Sequence, residues 1–445
     1  MRLFLLSAVT STWATEWTPS PTHSWYVEDQ FYHGLATGDF DGDGMRELVW
    51  LDLAGGVYLR RQEDQTPVAL SLGPYLALSV ASGDVSGDGH DDLVLHVSDD
   101  SGQWIGVALG SASGLLPIEV AVPVEPGFLV TAIGDFNGDD LADFAFGQTV
   151  LAGSTEAPHL ATARVLPAWE GPGQVWGAGD LNADGFDEIL VPEWTTAQGA
   201  YVTYVGNLAA YAGAPDHQGA KLWSLEAPEG LALGHAAVVA DFNGDAELDL
   251  VLTAVAFSGC VLTGDVLVYE HLGSDSPRMI GRRRVSGPDP CPGLQLLALG
   301  DDDADGRAAV GWLVGGTLEE LTLSGTELTT SRSWSGTPAP GGFYALAEDL
   351  DFDGQTDVAA TWVSSFDGTG LSGGASVWLS GAGDPSDTAQ PGPESQDTSF
   401  PPAEEVMVGS TSGGCGCTVA TFEPRLPLAT LSLVCAARTR RRKHT

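Results

Sequence analysis

Positive charge is what this chain lacks most. Its 445 residues hold 18 Lys and Arg against 60 Asp and Glu, and only Lys221 and Lys443 are lysines. A formal net charge of −42 repels nucleic acid and anionic membrane, so the body of the chain is expected to bind neither. Cysteine is also scarce. Cys260 and Cys291 stand alone in the body, and Cys415, Cys417 and Cys435 lie near the end. That leaves room for one bridge in the body, Cys260 to Cys291. It would close a loop of about 30 residues, worth roughly 3–4 kcal/mol by chain entropy; two unpaired buried thiols are the alternative. One catalytic signature is missing too. The nine histidines are scattered and HExxH does not occur, so no zinc-hydrolase motif is present.

What is there suits strands. Hydrophobic residues make up 43% of the chain and Gly numbers 58, a mixture that favours many short strands and turns over helices. At this length a search for internal repeats comes first. The opening MRLFLLSAVTSTWA has a basic start, a short apolar run and a small residue at Ala14. It reads as an export signal over residues 1–14, which places the chain in an oxidising compartment with access to calcium.

One pattern recurs: an apolar run, an Asp, oxygen-bearing residues at alternate positions, then a second apolar run. It appears as DFDGDGMRE (39–47), DVSGDGHDD (84–92), DFNGDDLAD (135–143), DLNADGFDE (180–188), DFNGDAELD (241–249), DDDADGRAA (301–309) and DLDFDGQTD (349–357). The starts are 45, 51, 45, 61, 60 and 48 residues apart. Calcium takes six to eight oxygens at about 2.3–2.6 Å, and a short chain supplies them only by curling around the ion. The expected side-chain ligands at positions 1, 3 and 5 are Asp39, Asp41, Asp43; Asp84, Ser86, Asp88; Asp135, Asn137, Asp139; Asp180, Asn182, Asp184; Asp241, Asn243, Asp245; Asp301, Asp303, Asp305; and Asp349, Asp351, Asp353. Position 7 contributes its carbonyl, from Met45, His90, Leu141, Phe186, Glu247, Arg307 and Gln355. Position 9 adds a carboxylate in six loops: Glu47, Asp92, Asp143, Glu188, Asp249 and Asp357. The sixth loop has Ala309 there and is expected to bind weakly. Curling favours Gly at position 6, present in five loops, with Asp140 and Ala246 in the other two. Up to seven calcium ions are thus expected. The first and seventh loops carry four acids each and rank as the best sites.

An EF-hand would need a bidentate Glu at position 12. Position 12 is Trp50, Leu95, Phe146, Val191, Leu252, Trp312 or Ala360, none of which ligates. The flanks, such as LVTAIG before and DLVLTAV after a loop, are short and β-rich, so each loop joins two strands rather than two helices. Third strands follow, among them WIGVALG and DVLVYEHLG, and a variable fourth leads into the next repeat. Four strands in 45–61 residues make one propeller blade.

These residues resemble FG-GAP or VCBS repeats, as in the seven-bladed head of integrin α chains. FLVTAIGDFNGDDLADFAFG (128–147) and GSASGL (110–115) carry the resemblance most closely. It implies an all-β fold, a seven-bladed β-propeller of four-stranded antiparallel blades over residues 15–381, with calcium between the first and second strands of each blade. The seventh blade lacks an outer strand, and the segment 25–28 is expected to supply it. Residues 382–414 read as a Pro-, Ser-, Gly- and acid-rich linker. Residues 415–445 hold GGCGC's cysteines, the apolar stretch 426–437 and the basic end RTRRRKHT. That order resembles a MYXO-CTERM sorting tail of bacterial surface proteins and implies retention at the cell surface.

The expected function is a calcium-binding adhesion or ligand-binding module, monomeric, with an extracellular protein or glycan as partner and membrane contact only through the tail. No catalytic activity is expected. The alternative is a propeller-scaffold lyase or hydrolase acting on extracellular polysaccharide. Trp194, Phe257 and Phe366 are candidates for an exposed aromatic ligand surface, against the simpler reading that they pack between blades.

Overall fold

A computed structural model describes residues 23–27 and 32–378, apart from 53, 62–66, 126–127, 168–173, 198–202, 259–260, 275, 289–294, 302–304, 315–316, 335–341, 351–355 and 367–370. The signal segment 1–14, the linker 382–414 and the tail 415–445 lie outside the described residues, as do Cys260, Cys291, Asp303, Asp351, Asp353 and Gln355. The side chains of Phe257 and Phe366 fall outside them as well.

Every regular element among the described residues is a strand. β1 (His23–Val27) leads the chain. Then come β2 (Tyr32–Gly38), β3 (Glu47–Asp52), β4 (Val57–Arg60) and β5 (Val68–Leu70), which form one four-stranded meander. β6 (Leu76–Gly83), β7 (Asp92–Asp99), β8 (Gly102–Ala108) and β9 (Glu119–Pro123) form a second, and β10 (Val130–Gly134), β11 (Asp143–Phe146), β12 (Thr149–Gly153) and β13 (Leu160–Val165) a third. The next twelve strands belong to one sheet. They are β14 (Trp176–Gly179), β15 (Glu188–Ala197), β16 (Thr203–Tyr211), β17 (Lys221–Leu225), β18 (Ala232–Ala240), β19 (Asp249–Ser258), β20 (Val261–Glu270), β21 (Arg278–Pro288), β22 (Gln295–Ala298), β23 (Val310–Val314), β24 (Thr317–Ser324) and β25 (Glu327–Trp334). Eleven of them lie along a continuous path, and β17 branches from β16. Within that sheet the antiparallel ladders again join strands in fours. Only the parallel bridges Gly206 to Ala232 and Arg282 to Glu327 stitch one group to the next. β26 (Gly342–Glu348), β27 (Asp357–Phe366) and β28 (Leu371–Trp378) are the last of the described strands, and β1 pairs antiparallel with β28, Trp25 opposite Ala375. The N-terminal segment therefore does join the last sheet, as its sequence position suggested.

The groups follow one another around a closed circuit. β2 lies against β6, β6 against β10, β10 against β14, β14 against β18, β18 against β22 and β22 against β26, and β26 lies against β2. Apolar clusters fill the spaces between successive sheets. Val49 and Leu51 of β3 meet Leu93 and Leu95 of β7 in one of them. Leu48 and Trp50, on the other face of β3, meet Leu350 and Ala359 of the last sheet. Each second strand is thus covered on both faces, and β3 is buried at all six positions. This explains why these strands read as unbroken apolar runs. A half-exposed sheet alternates apolar and polar side chains, whereas a sheet with neighbours on both sides needs apolar side chains on both.

Candidate metal centres

All the loops that join first to second strands in the first five groups are described, and they share one set of hydrogen bonds. The position-1 Asp accepts the position-6 N–H: Gly44 to Asp39 at 3.1 Å, Gly89 to Asp84 at 2.9 Å, Asp140 to Asp135 at 2.8 Å, Gly185 to Asp180 at 2.9 Å and Ala246 to Asp241 at 2.7 Å. The position-5 Asp accepts the position-7 N–H, as in Met45 to Asp43 at 2.8 Å and Phe186 to Asp184 at 3.1 Å. The sixth loop repeats both bonds, Gly306 to Asp301 and Arg307 to Asp305, each at 2.9 Å. Curling the chain this tightly puts position 6 in the left-handed region. Asp140 and Ala246 adopt it too, at φ of 66° and 67°, so the ring of carboxylates forms without glycine there.

Position 9 closes the loop from beneath. Its carboxylate accepts the position-2 N–H: Phe40 to Glu47 at 2.9 Å, Val85 to Asp92 at 3.0 Å, Phe136 to Asp143 at 3.1 Å, Leu181 to Glu188 at 2.6 Å, Phe242 to Asp249 at 3.0 Å and Leu350 to Asp357 at 2.8 Å. All six of these acids are buried. Burial pushes the carboxyls of Glu47, Asp143, Glu188 and Asp249 up to about 7 and that of Asp92 to about 6. The loop acids beside them add to the rise, and the backbone N–H donors oppose it. Buried carboxylates crowded by other carboxylates suit a neighbouring positive charge.

The residues present suit a hard divalent ion. Ligand oxygens of Asp39, Asp41 and Asp43 all lie within 4.8 Å of one another, a span that one ion bonded at about 2.3–2.6 Å can bridge. Asp39 Oδ1 is buried without a hydrogen-bond partner, and so is Asn182 Oδ1 in the fourth loop. An unpartnered buried oxygen at a ligand position fits a cation bound there.

Several neighbours escaped the sequence reading. Arg61 places its guanidinium 2.7 Å from Asp41 Oδ2, so the first loop, ranked best by its acid count, already holds one cation. His217 reaches the third loop from the turn after β16, its Nε2 3.0 Å from Asn137 Nδ2. Asn137 accepts Asp139 N–H and donates to the Asp139 carboxylate, which fixes its amide, so His217 Nε2 is the acceptor. The loops are also tied to one another. The position-8 N–H of one loop donates to the position-1 carbonyl of the loop before it: Asp91 to Asp39 at 3.0 Å, Ala142 to Asp84 at 2.8 Å, Asp187 to Asp135 at 3.0 Å and Ala308 to Asp241 at 2.7 Å. Position 4 takes positive φ at Gly42, Gly87, Gly138, Gly244 and Ala183. A side chain at Gly42, Gly87 or Gly138 would strike His90, Leu141 or Phe186, the position-7 residue of the following loop. The sequence reading passed over Gly at position 4, because the partner that demands it lies a whole repeat away.

Trp194 does not belong to an exposed surface. It is 2% exposed, donates to the Leu233 carbonyl at 2.7 Å and stacks on Tyr204 and His235.

Residues 39–95 match the FG-GAP-like repeat family. A curated relative, integrin alpha pat-2 of Caenorhabditis elegans, is 28% identical over 229 residues, covering 39% of this chain and 19% of the relative. The chain therefore spans about a fifth of that protein's length. Among solved structures, BBS1N in complex with ARL6DN aligns at 12% identity with a TM-score of 0.44, covering 80% of this chain and 94% of that one. A Lactobacillus plantarum protein aligns at 14% identity with a TM-score of 0.41, covering 72% and 91%. FG-GAP-like repeat sequence thus lies on the first two loops and the strands around them.

Proposed function

We propose that this chain is a calcium-stiffened, seven-bladed β-propeller that serves as a non-catalytic binding or adhesion module outside the cell. The observation that carries the reading is repetition. The same loop, with the same bonds from position 6 to position 1 and from position 2 to position 9, recurs at the same end of successive four-stranded groups. The closed circuit of first strands and the pairing of β1 with β28 support a ring of seven blades. The FG-GAP-like match and the integrin relative support a binding role. In this reading Asp39, Asp84, Asp135, Asp180, Asp241, Asp301 and Asp349 hold the ions, with their partners at positions 3 and 5 and, in every loop but the weaker sixth, at position 9. The ion neutralises carboxylates that burial leaves crowded, and it locks the rim of the ring. The acidic linker and basic tail then tether the propeller to the surface that it is exported to.

Calorimetric titration of the metal-free protein with calcium, paired with melting temperature, tests this. Several bound ions and a higher melting temperature are expected, because a ligand of the native state stabilises it by mass action. Heat of binding indistinguishable from buffer and an unchanged melting temperature would end the reading.

A further inference from the structure

Outside the basic end, the rarest charge in this chain gathers on one strand. Four of the 18 Lys and Arg, namely Arg278, Arg282, Arg283 and Arg284, fall within seven residues of β21. β21 is the outermost strand of its group of four, and the sheet continues beyond it only through the single parallel bridge Arg282 to Glu327. The carboxylates that balance these arginines sit beneath them. Asp265 is 13% exposed and is shared by Arg282 at 3.2 Å and Arg284 at 3.9 Å, while the guanidiniums are 50% and 78% exposed. Glu270, 8% exposed, pairs with Arg278, which is 68% exposed. Among the described residues Arg284 makes no hydrogen bond, and Arg282 uses only its Nε on a side chain. The outer layer of this edge is therefore guanidinium N–H with open donors, over an inner layer of carboxylate.

We infer that the β21 edge is the ligand surface of the module and that its ligand is a polyanionic glycan bearing carboxylate or sulfate groups. This rests on the binding-module reading above and names the ligand class. Guanidinium suits those groups because its planar fork meets two oxygens at once and is weakly hydrated. The strand places Arg282 and Arg284 on one face and Arg283 on the other, so an extended polymer lying along the edge meets cations from both sides. Arg283 is held for this by Glu319 at 2.7 Å, by Thr330 at 2.9 Å and by the Trp312 ring beneath it. The acidic total of the chain does not forbid an anion here. At 0.15 M salt the screening length is about 8 Å, so the edge responds to its own groups rather than to loops farther off.

The test is retention of the full, calcium-loaded chain on immobilised heparin and on immobilised polygalacturonate, with dextran as the neutral control. Retention on at least one anionic matrix, released by salt and absent on dextran, is expected. The double variant Arg282→Gln, Arg284→Gln should bind about tenfold more weakly, and Lys221→Gln, on the neighbouring outer strand β17, should bind as the parent does. Arg284→Gln alone breaks no hydrogen bond and serves if the double variant melts early; it should weaken retention in the same direction. No retention of the parent chain, equal retention of parent and double variant, or equal arginine-dependent binding to phosphatidylserine vesicles would each overturn the assignment. A melting temperature still raised by calcium alongside any of these results leaves the calcium-propeller reading standing and removes only this one.

Discussion

Six loops bury a whole carboxylate at position 9, and each is bonded by a backbone N–H of its own loop. The consequence is a stability that depends on pH in an unusual direction. In the folded state Glu47, Asp143, Glu188 and Asp249 take up a proton at about 7, well above the carboxylate range of an unfolded chain. The folded state therefore binds more protons than the unfolded one. Its advantage is complete below the unfolded values and is lost as pH rises through about 7. His96 and His235, held neutral by burial with values near 4, act the other way, but their effect falls below their unfolded value near 6.5. Between pH 6.5 and 8 the acids act nearly alone. Melting temperature in EDTA should fall across that window, and saturating calcium should abolish or reverse the fall. A metal-free melting temperature that holds level or climbs from pH 6.5 to 8 would contradict this account.

At the scale of the loop and its strands, two glycines resist substitution for different reasons. Gly44 has open space where a side chain would go, but its φ of +88° disfavours any other residue, so Gly44→Ala should cost about 1 kcal/mol. Gly110, just after β8, has ordinary φ; its side chain would lie 2.3 Å from the Asp91 carbonyl oxygen and 3.0 Å from that of Phe40. Those atoms are backbone of its own sheet's loop and of the loop before, so they cannot yield, and Gly110→Ala should cost roughly 2–3 kcal/mol. Urea melts of both variants measure the difference; Gly44→Ala as damaging as Gly110→Ala would refute the steric account. The pair also marks what the sequence could tell. Gly44 was legible because its reason is local, a turn within nine residues of which every member is visible in DFDGDGMRE. Gly153 and Gly213 repeat the role of Gly110 against Val85 and Phe136, yet nothing near them in the chain announces it. The contact joins neighbouring groups, and sequence spacing is silent about which backbone meets which. For the same reason Arg61 was missed: it comes from the end of a strand whose side-chain direction the pattern did not fix.

For the molecule as a whole, the open question is what closes the circuit. The space between the first and last groups is filled by Leu48, Trp50, Leu350 and Ala359, and Arg46 approaches Glu348 across it at 3.9 Å. A further tie is β1, which crosses from the start of the chain to pair with β28 over five residues, from His23 opposite Val377 to Val27 opposite Gly373. Without it β28 becomes an exposed edge with unpaired N–H and C=O groups, open to pairing with another chain. A chain that starts at His23 should therefore melt as the longer protein does. One that starts at Glu28 should melt about 5 °C lower or more, as expected for a few kcal/mol in a domain of this size, and should self-associate with rising concentration. Adding a synthetic peptide of residues 22–28 should restore the melting temperature by strand addition, since main-chain bonds supply most of that pairing. Equal melting of the two shortened chains would mean that Trp50 and its neighbours close the ring unaided, and that β1 is an ornament on a sheet already complete.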